Sequence, residues 1–269
     1  MIKTYVLDTT QLQDPLEDAS CMELLSFSNE RMEKTARIRQ PDARKQSFGA
    51  GLFLSYALQK AGSGARLYFN SFGKPFVTGM PFNISHTKHY AILSIWEPQQ
   101  PSDKDLPLLL GCDIEMVHAY RPNIARRFFM PQEHETLESI SQEHMQAELF
   151  CRYWTRKESV MKLAGLGMAL PMNLYDVRSG QAYADTGKTR AWILEKEHAG
   201  PEYRKAAEIL LEGRLFFQEY WHDGCCITVC STKKECRQEG YLIQIPRPGE
   251  TDAACIRDAL RGRCFLSKL

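Results

Sequence analysis

A chain of 269 residues, 43% hydrophobic and 25% charged, has room for one large domain or two packed halves with a proper core. Its net charge of +1 excludes the strong basic excess of a dedicated nucleic-acid binder, while leaving local basic clusters for a phosphorylated small molecule open. No apolar run approaches the ~18–20 residues of a membrane span, and nine cysteines, odd in number and without a disulfide framework, suit a reducing cytoplasm.

The first residues, Met1-Ile2-Lys3-Thr4-Tyr5-Val6-Leu7-Asp8, reach an acidic side chain too early for a signal peptide and read as a strand. A polar turn over 14–18 leads to a helix expected at 21–38, with Leu24, Leu25 and Met32 as core contacts. That region carries Arg31, Lys34, Arg37 and Arg39, followed by Arg44 and Lys45 beyond Pro41-Asp42. Two readings stay open here: a solvated basic face, or an edge that donates to phosphate oxygens. A second helix is expected over 47–58, where Gly49 and Gly51 allow close packing. Residues 67–70 read as a strand, 71–76 as a turn and 90–96 as a strand. The stretch 97–105, rich in Pro, Gln, Ser and Asp, is the best connection between two halves.

Beyond it, 106–117 opens a new strand set, 124–129 and 132–145 read as helices, and Ala147 leads into a further helix around Trp154. Residues 191–194, 215–220 and 226–230 read as strands, and 248–269 as a tail without an assigned structure. Cys225, Cys226, Cys230 and Cys236 cluster without a paired C-x-x-C spacing, so buried strand cysteines explain them better than tetrahedral zinc. Neither glycine-rich phosphate fingerprint is present, and there is no H-E-x-x-H.

Three stretches carry chemistry. In Trp154-Thr155-Arg156-Lys157-Glu158-Ser159-Val160-Met161-Lys162-Leu163-Ala164-Gly165-Leu166-Gly167, helical spacing puts Glu158 and Lys162 on one face, and the glycines end the helix. An exposed ion pair worth ~0.2–0.5 kcal/mol would account for that pair alone. In Gly111-Cys112-Asp113-Ile114-Glu115, strand alternation points Asp113 and Glu115 together, with Cys112 and Ile114 on the other side. Two carboxylates ~5 Å apart repel by ~3 kcal/mol at an effective dielectric of ~20, so the pair wants solvent or a hard cation such as Mg²⁺. In Asn83-Ile84-Ser85-His86, neighbours on a strand point oppositely, which makes Ser85 and His86 poor partners for each other. His86 reads as a phosphate donor or as a structural histidine.

Taken in order, these motifs resemble the signature set of the Sfp-type 4′-phosphopantetheinyl transferases. Phe72-Gly73-Lys74-Pro75 and Ala125-Arg126-Arg127-Phe128-Phe129 add to the likeness, which covers roughly residues 20–180. Such enzymes move the 4′-phosphopantetheine arm of coenzyme A onto a serine of an apo acyl or peptidyl carrier domain, releasing adenosine 3′,5′-bisphosphate. The resemblance implies an α/β (α+β) fold of two similar halves related by a pseudo-two-fold, here 1–105 and 106–247 with a tail at 248–269. It implies Mg²⁺ held by Asp113, Glu115 and Glu158, with Glu158 as base, acting directly or through a water.

It further implies catalytic roles for Lys162 and Asp113, with Lys162 on the coenzyme pyrophosphate and Lys157 assisting. His86 and Ser85 would contact coenzyme phosphate, and Lys45 and Lys74 the 3′-phosphate and adenosine end. Metal binding lowers the pKa of a carboxylate, which sits awkwardly with a base role for Glu158. Cys112 stands where the family usually has Val or Ile and can fill the same strand core. Residues 127–130 and 168–172 are apolar enough either to dock a carrier helix or to join the core. The expected protein is a cytoplasmic monomer that binds neither nucleic acid nor membrane. A Mg²⁺-dependent coenzyme A pyrophosphate hydrolase and a non-catalytic coenzyme or carrier binder are the rival readings.

Overall fold

The computed structural model describes residues 1–17, 19–98, 108–196, 198–234, 238–243 and 266–268. In chain order its elements are β1 (Ile2–Asp8), α1 (Ala19–Glu23), α2 (Asn29–Ala36), α3 (Pro41–Ala61), β2 (Leu67–Phe69), β3 (Pro75–Val77), β4 (Phe82–Thr87) and β5 (Tyr90–Trp96). There follow β6 (Leu110–Met116), α4 (Pro122–Phe128), α5 (Pro131–Glu138), α6 (Glu143–Ala164), β7 (Tyr175–Asp176), β8 (Tyr183–Ala184), α7 (Thr186–Glu195) and α8 (Pro201–Glu212). The last strands are β9 (Phe216–His222), β10 (Cys225–Ser231), β11 (Gln238–Ile243) and β12 (Leu266–Lys268). The class is mixed α/β, and among the described residues no helix is long and apolar enough to cross a membrane. The chain divides into two compact units: Met1–Tyr68 with Phe76–Gln99 and Arg237–Leu269, and Phe69–Pro75 with Gln100–Cys236.

In the first unit a five-stranded sheet runs β12-β11-β1-β5-β4. β1 pairs antiparallel with β5 and parallel with β11. α3 buries Phe48, Leu52 and Phe53 in a core shared with Tyr5, Leu93 and Ile95. The close packing expected at Gly51 is present, since a Cβ there would stand 2.6 Å from Leu25 Cδ2.

Two helix boundaries differ from expectation. The helix expected at 21–38 is split, because the Ser28 hydroxyl accepts from Arg31 N at 3.2 Å and starts α2 afresh. The next helix begins at Pro41 rather than near 47. Proline is tolerated at the first helical position, where its missing N–H had no partner to lose, and the Gln40 side chain caps the turn. This extension draws Arg44 inside, where its guanidinium binds Asp14 and the Ile38 carbonyl. Arg31 likewise donates to Ser47 O at 2.5 Å, so part of the basic cluster serves the fold.

The last two strands pair away from β6, β10 and β9. β11 and β12 stand in the first sheet, so Gln238–Ile243, expected within 106–247, pair with β1, and Leu266–Lys268 of the tail form a strand. The parallel edge of β1 needs a partner, and the chain supplies it from its far end, which no local pattern reveals. The turn Phe69–Pro75 goes with the second unit. Most of the connection expected at 97–105, and tail residues 248–265, lie outside the described residues.

In the second unit β6, β10 and β9 form an antiparallel sheet in that order, with β10 buried throughout. α6 lies against this sheet and shares a core with Phe129, Tyr175, Trp192 and Leu210. The helix expected at 132–145 is interrupted: α5 ends at Glu138 and α6 starts at Glu143. The strand expected at 191–194 is instead part of α7, because Asp185 accepts from Lys188 N at 3.0 Å and nucleates a helix that buries Trp192. α8, unforeseen, begins on Pro201 and ends at Gly213 with φ 65°.

Candidate active site

The site begins with β6. Cys112 and Ile114 are 0% and 1% exposed, and strand alternation puts buried Asp113 and half-buried Glu115 on the other face with Gly111. That face meets α6. At Gly111 there is no space for a side chain against the helix backbone, so a glycine inside the strand is what lets the two elements approach. One strand step on, Asp113 reaches Lys162 of α6, with Oδ1 and Nζ 2.6 Å apart.

The far end of α6 is held in the same unit. Gly165 takes the left-handed conformation at φ 80°, and its N–H returns to Met161 O at 2.9 Å. Asn70 Nδ2 donates to Gly165 O at 2.7 Å, and Lys74 Nζ to Leu163 O at 2.9 Å. An ammonium on the last carbonyls of a helix is favoured by both hydrogen bonding and the helix dipole. Burial, with Lys205 after it, pulls Lys74 down to about 8. Lys74 thus already serves α6 in addition to any role towards a ligand.

The charges interact strongly. Burial first, then Asp113 and Glu115, push the Glu158 carboxyl up to about 7, with Lys162 opposing. Burial and then Asp113 also raise Glu115, eased by a backbone hydrogen bond, Lys162 and Arg121. For Lys162, burial works against the ammonium, but Asp113 and Glu158 outweigh it and the pKa is raised. A carboxyl that ionises near neutrality beside a held ammonium can exchange protons at physiological pH. Among the described residues, no three His, Cys, Asp or Glu side chains stand close enough as placed to hold an ion. The donor set nevertheless suits a hard cation that keeps several waters and needs only one or two carboxylates plus ligand phosphates.

The other expected residues fall in two groups. In the first unit, Ser85 is buried and His86 exposed on β4, the opposite orientations expected of neighbours on a strand. Gln46 Nε2 donates to Thr87 O at 3.2 Å, which brings the start of α3, with half-buried Lys45, to the end of the same strand.

Lys157, given an assisting role by the resemblance, faces away from Lys162, as an ideal helix predicts. It is fully buried, with Nζ 2.8 Å from Glu133 Oε2 and donating to Met172 O at 2.8 Å, so it has no exposed surface to offer a coenzyme phosphate. The reason is helical geometry: consecutive residues point ~100° apart, so Lys157 cannot share the Glu158 face. Of the apolar stretches, Phe129, Met130 and Met172 join the core, whereas Met168 is 61% exposed.

Sequence reasoning missed His118, whose Nε2 lies 3.4 Å from Glu115 Oε1, and the demand for glycine at 111. A glycine inside an apolar strand was the available signal. A small cavity beside Glu115 is lined by His118, Arg121, Phe150 and Trp154.

The family model described as the 4′-phosphopantetheinyl transferase superfamily matches residues 109–208, which span β6, α6 and α8 up to Glu208. The 4′-phosphopantetheinyl transferase ffp of Bacillus subtilis is 33% identical over 205 residues, 72% of this chain and 83% of that protein. The 4′-phosphopantetheinyl transferase Sfp of Bacillus subtilis (strain 168) is 32% identical over 177 residues, 62% of this chain and 73% of that protein. The L-aminoadipate-semialdehyde dehydrogenase-phosphopantetheinyl transferase of Mus musculus is 32% identical over 156 residues, 51% of this chain and 48% of that protein. Likeness of this extent, running through the strand and helix that bring Asp113 and Lys162 together, means that the chain belongs to the 4′-phosphopantetheinyl transferase superfamily, among its Sfp-type members.

Proposed function

We propose that this 4′-phosphopantetheinyl transferase uses the charge cluster of β6 and α6 to move the arm of coenzyme A onto the serine of an apo acyl or peptidyl carrier domain. The observation that carries the residue roles is the 2.6 Å pair of Lys162 and Asp113, next to a Glu158 carboxyl that titrates at about 7. In the transfer, the serine oxygen bonds to the β-phosphorus of the coenzyme pyrophosphate. The bond from that phosphorus to the bridging oxygen breaks, and adenosine 3′,5′-bisphosphate leaves with the electron pair. The serine proton passes to Glu158, directly or through a water; without metal, burial and the neighbouring carboxylates hold that carboxyl up at about 7, in the range suited to such an exchange.

Asp113, Glu115 and Glu158 are the residues that would hold Mg²⁺. When bound, Mg²⁺ supplies a hard positive charge against the pyrophosphate oxygens. Lys162 donates to the same oxygens, and Asp113 holds its ammonium in place until the substrate arrives. Asp113 and Glu115 also keep the Glu158 carboxyl from ionising too early, which tempers the loss of basicity that a metal imposes. Exposed His86, with Ser85 and Lys45 on adjoining segments of the first unit, is assigned to coenzyme phosphate contacts, and Lys74 to the adenosine end.

The finer architecture belongs to the same proposal. Two similar halves related by a pseudo-two-fold are supported by what each unit has on its own, a helix of 21 or 22 residues packed on a sheet. The protein is assigned to the cytoplasm as a monomer; the free cysteines among the described residues, every one of them buried, are in keeping with a reducing compartment.

Intact-protein mass spectrometry of an apo carrier domain incubated with this protein, coenzyme A and Mg²⁺ tests the reading, with EDTA as control. The expected result is a phosphopantetheine-sized mass gain that EDTA abolishes. Coenzyme breakdown without carrier modification would favour the hydrolase instead, and a gain that survives EDTA would remove the metal.

A further inference from the structure

One residue before Glu158, Lys157 is a fully buried charge that the transfer chemistry does not use. Its Nζ lies 2.8 Å from Glu133 Oε2 and donates to the carbonyl oxygens of Met172, at 2.8 Å, and Tyr175. Three ammonium donors therefore meet three acceptors. Glu133 is equally buried and also accepts from Met130 N at 2.8 Å and Val177 N at 2.7 Å. The Tyr175 hydroxyl donates back to Lys157 O at 3.0 Å. The first turn of α5, the strand β7 and α6 are thus tied together at the residue next to Glu158.

A buried ion pair is a weak source of net stability, because well-packed apolar side chains of similar volume often do as well or better. What apolar contact lacks is direction. Three hydrogen bonds converging on one nitrogen set the rotation of a helix about its axis, which ridge-into-groove packing leaves softer. Side-chain tips lie about 5–6 Å from a helix axis, so a rotation of about 10° moves a tip by about 1 Å.

We infer that Lys157 and Glu133 are positioning residues for the transfer reaction: their buried pair sets the rotation of α6 and so aims Glu158 and Lys162 at Asp113. The inference rests on the reading of Glu158 given above. It also explains why the lysine next to Glu158 is a lysine although no ligand can reach it.

The test compares wild type with Glu133→Gln/Lys157→Met, which removes both charges at similar volume, and with Tyr175→Phe, which removes one hydroxyl and leaves every charge paired. Transfer kinetics by intact mass are read beside circular dichroism and the Mg²⁺-induced rise in unfolding temperature. The double variant is expected to lose about 10–100-fold in kcat with the KM for coenzyme A within about threefold, and to respond less to Mg²⁺. Tyr175→Phe should show the same pattern at about 3–10-fold, and it carries the test if the double variant does not fold. Wild-type kcat and Mg²⁺ response in the folded variants would overturn the inference, as would a loss explained wholly by less folded protein. Glu158→Gln, run in parallel, separates the two levels. If it transfers at the wild-type rate, the role of Glu158 fails. If it is inactive while the positioning variants are normal, only the positioning role fails.

Discussion

Gly111 in β6 lies so close to the backbone of α6 that a Cβ at position 111 would stand 2.0 Å from the Ser159 carbonyl oxygen and 2.5 Å from the Leu163 nitrogen. Strand and helix are therefore in backbone contact one step before Asp113. That approach is what makes a 2.6 Å ion pair between Asp113 and Lys162 geometrically available.

Gly111→Ala should push α6 away from β6. The obstructing atoms are backbone, so no flexible side chain can give way, and overpacking of this kind costs ~1–3 kcal/mol. Transfer should fall by about 10-fold or more, because a displacement of about 1 Å is enough to disturb a reacting geometry. Urea denaturation and carrier-modification kinetics check both, and a variant with the wild-type midpoint and rate would contradict the argument.

Asp113→Asn and Glu158→Gln should both abolish transfer, but only the first should destabilise the metal-free protein. The first takes the charge partner from Lys162 and should cost about 1–2 kcal/mol. The second neutralises a carboxyl that burial and two neighbouring carboxylates already disfavour as an anion, so at pH 8 the metal-free variant should be as stable as wild type or more so. Parallel denaturation curves in EDTA decide it.

Stability without metal should depend on pH through Glu158. Its folded value of about 7 lies above the ordinary 4.5, so between those values the folded chain holds a proton that the unfolded chain has released. Stability from this group is greatest below pH 4.5, falls as pH rises through that window and levels off above about 7. Glu158→Gln should flatten that fall. Because protons and Mg²⁺ compete for the carboxylates, Mg²⁺ should raise the unfolding temperature more at pH 8 than at pH 6. An equal rise at both would count against carboxylate ligation.

Removing residues 238–269 should unfold the first unit. β11 gives β1 its parallel partner from Ile2↔Gln238 to Leu7↔Ile243, Ile243 is 3% exposed, and Tyr241 stacks on Tyr5 at 5.8 Å. Limited proteolysis should then cut within 1–68 while the second unit resists. A truncated chain as resistant as the full one would show that β1 does not need this strand.

His86→Ala should raise the KM for coenzyme A about tenfold with little change in kcat, since it removes one charge-assisted phosphate contact worth ~1.5–3 kcal/mol. Unchanged saturation kinetics would remove His86 from coenzyme binding.

What the sequence determined by itself was whatever depends on short-range spacing. The turn of a helix relates Glu158 to Lys162, and strand alternation relates Asp113 to Glu115 and opposes Ser85 to His86; β6, β4 and α6 carry these relations as expected. Local signals also set β1, β5 and β10 to within a residue or two. Where they failed, a capping side chain or an N-terminal proline outvoted hydrophobic pattern, as Asp185 did for α7 and Pro41 for α3. Tertiary structure alone decided the rest. It buried Lys157 against Glu133, 24 positions away in the chain, and turned an apparent ligand contact into an internal tie. It brought β11 back to β1 across more than two hundred residues, and required glycine at 111. Each of these is set by which surfaces meet, and neither helical nor strand periodicity contains that information, because a period specifies only the face a residue shares and not what lies opposite it.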